Sequence, residues 1–105
     1  MRRVYYEDCE IEVSGFGERE PFECDDAEVW IEGDSILISY FDEEGIVVLE
    51  GRPDEESGWT LAARSRPRRA FLRPMSEDPG CFTGSLDEHG EVATWRLRLG
   101  DPRET

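Results

Sequence analysis

Four side chains are of the types that bind zinc: Cys9, Cys24, Cys81 and His89. Successive members of this set are 15, 57 and 8 residues apart. Structural zinc sites usually place two ligands about two to four residues apart, so that one turn holds both, and no such pair occurs here. Three cysteines are also an odd number for a disulfide framework. We therefore expect reduced thiols and no metal site.

Carboxylates cluster at residues 25–28, 42–44 and 54–56, and such clusters could in principle bind calcium. A calcium-binding loop places its oxygen ligands at alternate positions around a central glycine, and none of the three clusters has that pattern. They are predicted to be solvated turns. The sequence thus predicts no metal ion and no cofactor.

Catalysis would need a nucleophile beside a base, or a base positioned in a cleft. The one histidine, His89, lies between Glu88 and Gly90 in a predicted turn, where water surrounds it. Ser85 and Asp87 are close to it in sequence but would project from a hairpin. The sequence therefore predicts that the protein is not an enzyme.

The remaining chemical feature is a segregation of charge within a chain of net charge −14. Residues 1–58 contain four Arg and nineteen acidic residues, whereas residues 59–99 contain seven Arg and five acidic residues. Strand alternation would turn several of these arginines outward on the C-terminal sheet. The candidate residues for binding an anion or a partner are Arg64, Arg66, Arg69, Arg96 and Arg98. The competing interpretation is that they only pair with acidic residues on neighbouring strands.

The elements that must position these side chains are strands, because apolar and polar residues alternate with a period of two. The pattern is clear in 9–13, in 29–41 as a hairpin around Gly33, in 59–64, and in 91–99. The inward side chains are predicted to be Trp59, Leu61 and Ala63 in the third of these runs, and Ala93, Trp95, Leu97 and Leu99 in the last. Asp-initiated turns ending in glycine separate several of these runs. The predicted fold is all-β, a small antiparallel meander of seven or eight strands that is barrel-like. A two-sheet β-sandwich is the alternative.

A chain of 105 residues has room for one domain, residues 1–105, and we expect residues 100–105 to form a frayed tail. Residues 14–26 have the weakest strand pattern. Pro67 interrupts a run of arginines, so it is predicted at an edge or between strands. The strand register around residues 68–73 is left open.

Composition narrows the class of protein further. The longest apolar run, 46–49, is far shorter than the ~20 residues that cross a bilayer, and the acidity disfavours binding to nucleic acid or to anionic membranes. Reduced cysteines favour the cytoplasm. All twelve basic residues are arginine, a bias expected of a GC-rich bacterial genome or of adaptation to high salt.

Three functions remain open. The first is a non-enzymatic protein-interaction module that binds an unknown protein partner or a second copy of itself. The second is a small-ligand-binding β-barrel, and the third an acidic inhibitor or nucleic-acid mimic. The runs 58–61 and 94–97 resemble strands of lipocalin- or avidin-type barrels in a general way. That resemblance covers two strands and implies no functional residue.

Overall fold

The computed structural model describes residues 3–15, 17, 20–43, 45–53, 58–63, 68–78, 80–88 and 90–104. These residues form nine strands and no helix, in agreement with the predicted all-β fold. The strands are β1 (Arg3–Ser14), β2 (Phe22–Glu32), β3 (Ser35–Asp42), β4 (Gly45–Pro53), β5 (Trp59–Ala63), β6 (Arg68–Pro74), β7 (Cys81–Glu88), β8 (Glu91–Arg98) and β9 (Asp101–Glu104). Since the described part of the chain holds no helix, it holds none that could cross a membrane.

The sheet closes on itself. Each strand from β1 to β8 pairs antiparallel with the next, and β8 pairs back with β1. The predicted meander is therefore confirmed as a closed eight-stranded barrel with one additional strand, and the sandwich alternative is not the fold. Closure gives each of these eight strands a neighbour on both sides, which is the most direct protection against edge-to-edge aggregation. The β2–β3 pairing is partial, since it covers residues 28–32 of β2 and not residues 22–27.

The additional strand corrects one expectation. Residues 101–104 are not a frayed tail: β9 pairs with Val4–Glu7 of β1, while β8 pairs with Glu10–Ser14 of the same strand. Between the two segments β1 has an irregular register, and Asp8 has a positive φ of 55°. Gly100 crosses this bend so closely that a Cβ there would lie 1.8 Å from the carbonyl oxygen of Glu7.

The interior is filled by side chains from all eight barrel strands. Trp95, Leu97, Ile38, Leu49 and Leu72 have no exposed surface, and the predicted inward positions on β5 and β8 all belong to this core or pack against it. Eight strands leave an interior just wide enough for side chains to fill. The ligand-binding alternative thus gains no support from the barrel interior.

The turn of the β7–β8 hairpin begins with an aspartate and ends with a glycine, as the sequence predicts. The backbone N–H of Gly90 donates to Asp87 Oδ1 at 3.1 Å, and Gly90 has a positive φ of 86°. At the β3–β4 hairpin Gly45 also has a positive φ, of 115°, but Asp42 instead contacts a buried arginine described below. The weakly patterned segment 14–26 contains the start of β2, at Phe22.

Candidate functional site

The outer faces of β1 and β2 together carry a group of exposed carboxylates, which we call the acidic face: Glu10, Glu12, Glu23, Asp25 and Asp26. Glu12 and Glu23 are direct cross-strand partners. Like charges directly opposite each other on one face of a sheet destabilise it. On the β8 side Glu12 has Arg96 as its cross-strand partner, so the unfavourable negative charge is concentrated toward β2.

The structure places the predicted arginine site on two separate parts of the surface. Arg69 is exposed on β6, and Arg96 and Arg98 are exposed on β8. Arg64 and Arg66 lie outside the described residues. Each of the three described arginines has an acidic cross-strand partner, in the pairs Arg69–Asp87, Arg96–Glu12 and Arg98–Glu10. This register is the one expected if the arginines neutralise neighbouring strands.

The acidic face and the two arginines of β8 border one surface depression of about 680 Å³. Arg96 and Arg98 line one side, and carboxylates of β1 and β2 line the other. On the β7 side of Arg96 the cross-strand partner is Thr83, and beyond it Arg73 follows on β6. The negative surface thus ends abruptly at β8, where the basic part of the outer sheet begins.

The three cysteines are free, and the surroundings of each raise the pKa of its thiol. Burial raises the pKa of the Cys9 thiol, which accepts a hydrogen bond from the Gly100 N–H at 3.3 Å. Burial, together with a hydrogen bond to Asp26, raises the pKa of Cys24. A hydrogen bond to Asp78 raises that of Cys81. Because the thiolate is the reactive form, all three thiols are weak nucleophiles at neutral pH.

One end of the barrel is closed by a buried arginine that the sequence did not single out. Arg68 is only 4% exposed. Its guanidinium donates to the Tyr40 hydroxyl at 3.0 Å and to Asp42 at 3.1 Å, and forms an ion pair with Glu88 at 2.9 Å. Burial alone would lower the pKa of Arg68, but Tyr40, Glu88 and Asp42 outweigh it and raise the pKa. These contacts join the ends of β3, β6 and β7.

A signal for Arg68 was present in the sequence. It precedes Ala70 and Leu72 by two and four residues, so strand alternation places its side chain on their inward face. Because Arg68 is charged, it was grouped with the neighbouring arginines that are predicted to face outward. The cluster acts as a structural closure of the barrel end, since the cation and its two carboxylates are all largely shielded from water.

A stacked aromatic pair stands on the outer face where β1 and β2 meet. The rings of Tyr5 and Trp30 have centroids 5.0 Å apart with an interplanar angle of 23°. The Tyr5 hydroxyl donates to Glu28 Oε2 at 2.5 Å. That hydrogen bond, with smaller contributions from desolvation and nearby carboxylates, raises the pKa of Tyr5 to about 12.

The tyrosines give a test of these contacts at alkaline pH. Desolvation by burial also raises the pKa of Tyr40, so both phenols should remain protonated in the folded protein above pH 10. The unfolded chain loses these protons near the ordinary tyrosine pKa of about 10, so it binds fewer protons than the folded one between pH 10 and about 12. Stability should therefore fall as the pH rises through this window.

Phenolate absorbance checks the prediction. In the titration of the native protein, part of the absorbance increase should occur at a higher pH than in the titration of the protein unfolded in guanidinium chloride. The Glu28→Gln variant should move the Tyr5 step back toward pH 10, while the Tyr40 step stays. If the native and unfolded proteins titrated alike, the two hydrogen-bonded arrangements would be wrong.

Within the described ranges, no three or more His, Cys, Asp or Glu side chains are grouped so that they could hold a metal ion. Compared with known proteins, the chain matches no family model, no curated protein and no solved structure.

Proposed function

We propose that the protein is a non-enzymatic interaction module that binds a basic protein partner through the acidic face. The observation that carries the proposal is the exposed carboxylate group on β1 and β2, in which Glu12 and Glu23 oppose each other directly. Surface like-charge pairs reduce stability, and a partner that supplies cations would relieve this repulsion.

The net charge of −14 supports the same partner chemistry. A strong field of one sign speeds encounter with partners of the other sign and disfavours association with acidic ones. Arg96 and Arg98 border the acidic face on the β8 side, so the surface is positive at that border and negative across β1 and β2. A partner is therefore expected to align a basic patch with β1 and β2.

The unusual residue composition makes the contact easy to map. The chain contains no lysine, so a zero-length carbodiimide reagent can join its carboxylates to lysines of a basic partner. We expect links to a cationic probe protein such as cytochrome c to concentrate on Glu10, Glu12, Glu23 and Asp25. Links distributed evenly over the carboxylates of the molecule would count against a specific face.

A matched pair of variants tests the energetics. The triple variant Glu12→Gln, Glu23→Gln, Asp25→Asn removes three charges from the acidic face. The control Glu43→Gln, Glu77→Gln, Glu91→Gln removes three exposed charges elsewhere. Both have the same net charge, so an at least tenfold greater loss of affinity for the probe in the first variant is expected. Equal losses would contradict the proposal.

A further inference from the structure

In one part of the barrel wall, two neighbouring strands are not paired with each other. β2 pairs with β3 only over residues 28–32, which lie opposite residues 35–39. The segment 22–27 of β2 pairs with β1 alone, and the segment 40–42 of β3 pairs with β4 alone. We call the space between these two segments the β2–β3 split. Among the described residues, no other strand pairs with either segment along the split.

A bulge in β2 turns the strand away from β3. The pairs Cys9–Ala27 and Ile11–Cys24 bracket it, so one residue of β1 faces two residues of β2. An extra residue of this kind bends its strand and interrupts the ladder. Pairing with β3 begins at Glu28, immediately after the bulge. The split is thus a consequence of how β1 and β2 pair.

The split exposes backbone groups of β2. Alternate residues of an antiparallel strand direct their N–H and C=O groups to the neighbour on one side, so part of the segment 22–27 directs these groups into the split. The hydrogen bonds that the described residues form outside the strand ladders use no backbone group of this segment. A row of unpaired backbone donors and acceptors is a template for another strand. Addition of a strand to such an edge is a recurring way of binding an extended peptide.

Apolar side chains lie on both faces of the sheet beside this edge. On the inward face, the rings of Phe22 and Tyr40 meet across the split, with their centroids 5.9 Å apart. On the outward face, Phe41 is 62% exposed, and Ile46, its cross-strand partner on β4, is 54% exposed. A strand added in the split would be a direct neighbour of Phe41, and apolar pairs across neighbouring strands stabilise a sheet. The added strand would therefore find apolar contacts as well as backbone partners.

Carboxylates determine which kind of strand this edge accepts. Glu23, Asp25 and Asp26 are exposed on the β2 side of the split, and Glu20 lines the depression of about 690 Å³ into which the split opens at the barrel end. Charged side chains along an edge keep uncharged and like-charged strands from adding to it, whereas a cationic strand gains favourable cross-strand pairs. A second copy of this chain, with its net charge of −14, is disfavoured on the same ground.

We propose that the basic partner adds an extended segment, in which cationic and apolar residues alternate, as a strand to the edge of β2 in the β2–β3 split. This inference rests on the proposed function, because Glu23, Asp25 and Asp26 belong to the acidic face. It goes further by assigning the contact to backbone pairing with one segment of the partner, in addition to charge.

Two synthetic peptides of equal charge test the mode of binding. The first is a hexapeptide of alternating lysine and valine, and the second has the same sequence with its backbone nitrogens methylated, so that it cannot donate backbone hydrogen bonds. We expect the first peptide to bind at least tenfold more tightly at the same salt concentration. In hydrogen exchange followed by NMR, only the first peptide should protect the amides of residues 22–27 that are not already bonded to β1.

A matched pair of variants locates the added strand. Phe41→Ser removes the apolar side chain beside the split, and Val92→Ser removes a 59% exposed one on β8. Neither variant changes the charge of the acidic face. Once near-ultraviolet circular dichroism has shown native packing in both, we expect at least fivefold weaker binding of the alternating peptide to the first variant and unchanged binding to the second.

The outcomes separate this inference from the proposed function. Equal affinity of the two peptides, unprotected amides in the segment 22–27, or equal effects of the two variants would overturn strand addition. Cross-links of cytochrome c that still concentrate on the acidic face would then leave the proposed function standing. Protection of the same amides in concentrated protein without peptide, together with a dimer in sedimentation, would mean that a second copy occupies the edge and would also overturn the inference.

Discussion

Replacing Arg68 by alanine is expected to lower the free energy of unfolding by about 3–5 kcal/mol, because removing one member of a buried ion cluster leaves its partners uncompensated. The carboxylates of Asp42 and Glu88 are 16% and 15% exposed. Without the guanidinium they would face each other and the buried Tyr40 with no cation between them. Urea denaturation at neutral pH measures the loss.

Two further variants separate the cluster from a general effect of losing arginine. Arg69→Ala alters the adjacent, exposed side chain and should change stability by no more than about 0.5 kcal/mol. The triple variant Arg68→Met, Asp42→Asn, Glu88→Gln removes the charges together. It should recover most of the loss, since replacing a whole buried ion group is often nearly neutral. An Arg68→Ala loss as small as that of Arg69→Ala would mean that the cluster does not hold this end of the barrel.

The same cluster illustrates how far sequence analysis could reach. Alternation predicted which residues of β5 and β8 face inward, because burial of apolar side chains on one face dictates a period of two. Arg68 obeys that alternation, yet a charged residue on an inward position is uncommon unless it is paired. Its partners Asp42 and Glu88 are 26 and 20 positions away in the chain. Glu88 is the direct cross-strand partner of Arg68 on β7, but only the closed sheet brings Asp42 of β3 close to β6.

The sequence predicted a barrel, but the strand pairing that closes it and the last strand were hidden for a different reason. β1 pairs with β2 along almost its whole length, but the connection between them contains the glycine- and glutamate-rich residues 15–20, which lack alternation. β9 is only four residues long and polar. It is positioned by the bend in β1 at Asp8, whose positive φ has no reliable signature in a non-glycine residue.

The candidate binding surface could be predicted from the sequence only in part. Composition alone indicated a strongly acidic protein, and the position of the carboxylates in 7–34 indicated where the charge concentrates. The direct opposition of Glu12 and Glu23 required the register of β1 against β2.

Trp95 is the second position at which we expect a large effect. Its side chain has no exposed surface, and its indole Nε1–H donates to the carbonyl oxygen of Phe71 at 3.1 Å. The cross-strand partner of Trp95 is Gly84, where a Cβ would lie 1.7 Å from that same carbonyl oxygen. A glycine at this point is thus needed for β6 and β7 to approach as closely as they do.

Trp95→Ala should cost about 3–5 kcal/mol, the usual range for removing a large aromatic side chain from a core. Trp95→Phe keeps most of the ring volume but leaves the Phe71 oxygen without its donor, and should cost about 1–3 kcal/mol. Thermal and denaturant unfolding measure both. Because the alanine variant leaves an apolar cavity, added indole should raise its melting temperature and leave that of the unaltered protein unchanged. A loss below about 2 kcal/mol for Trp95→Ala, with no effect of indole, would mean that the barrel interior is not packed around this ring.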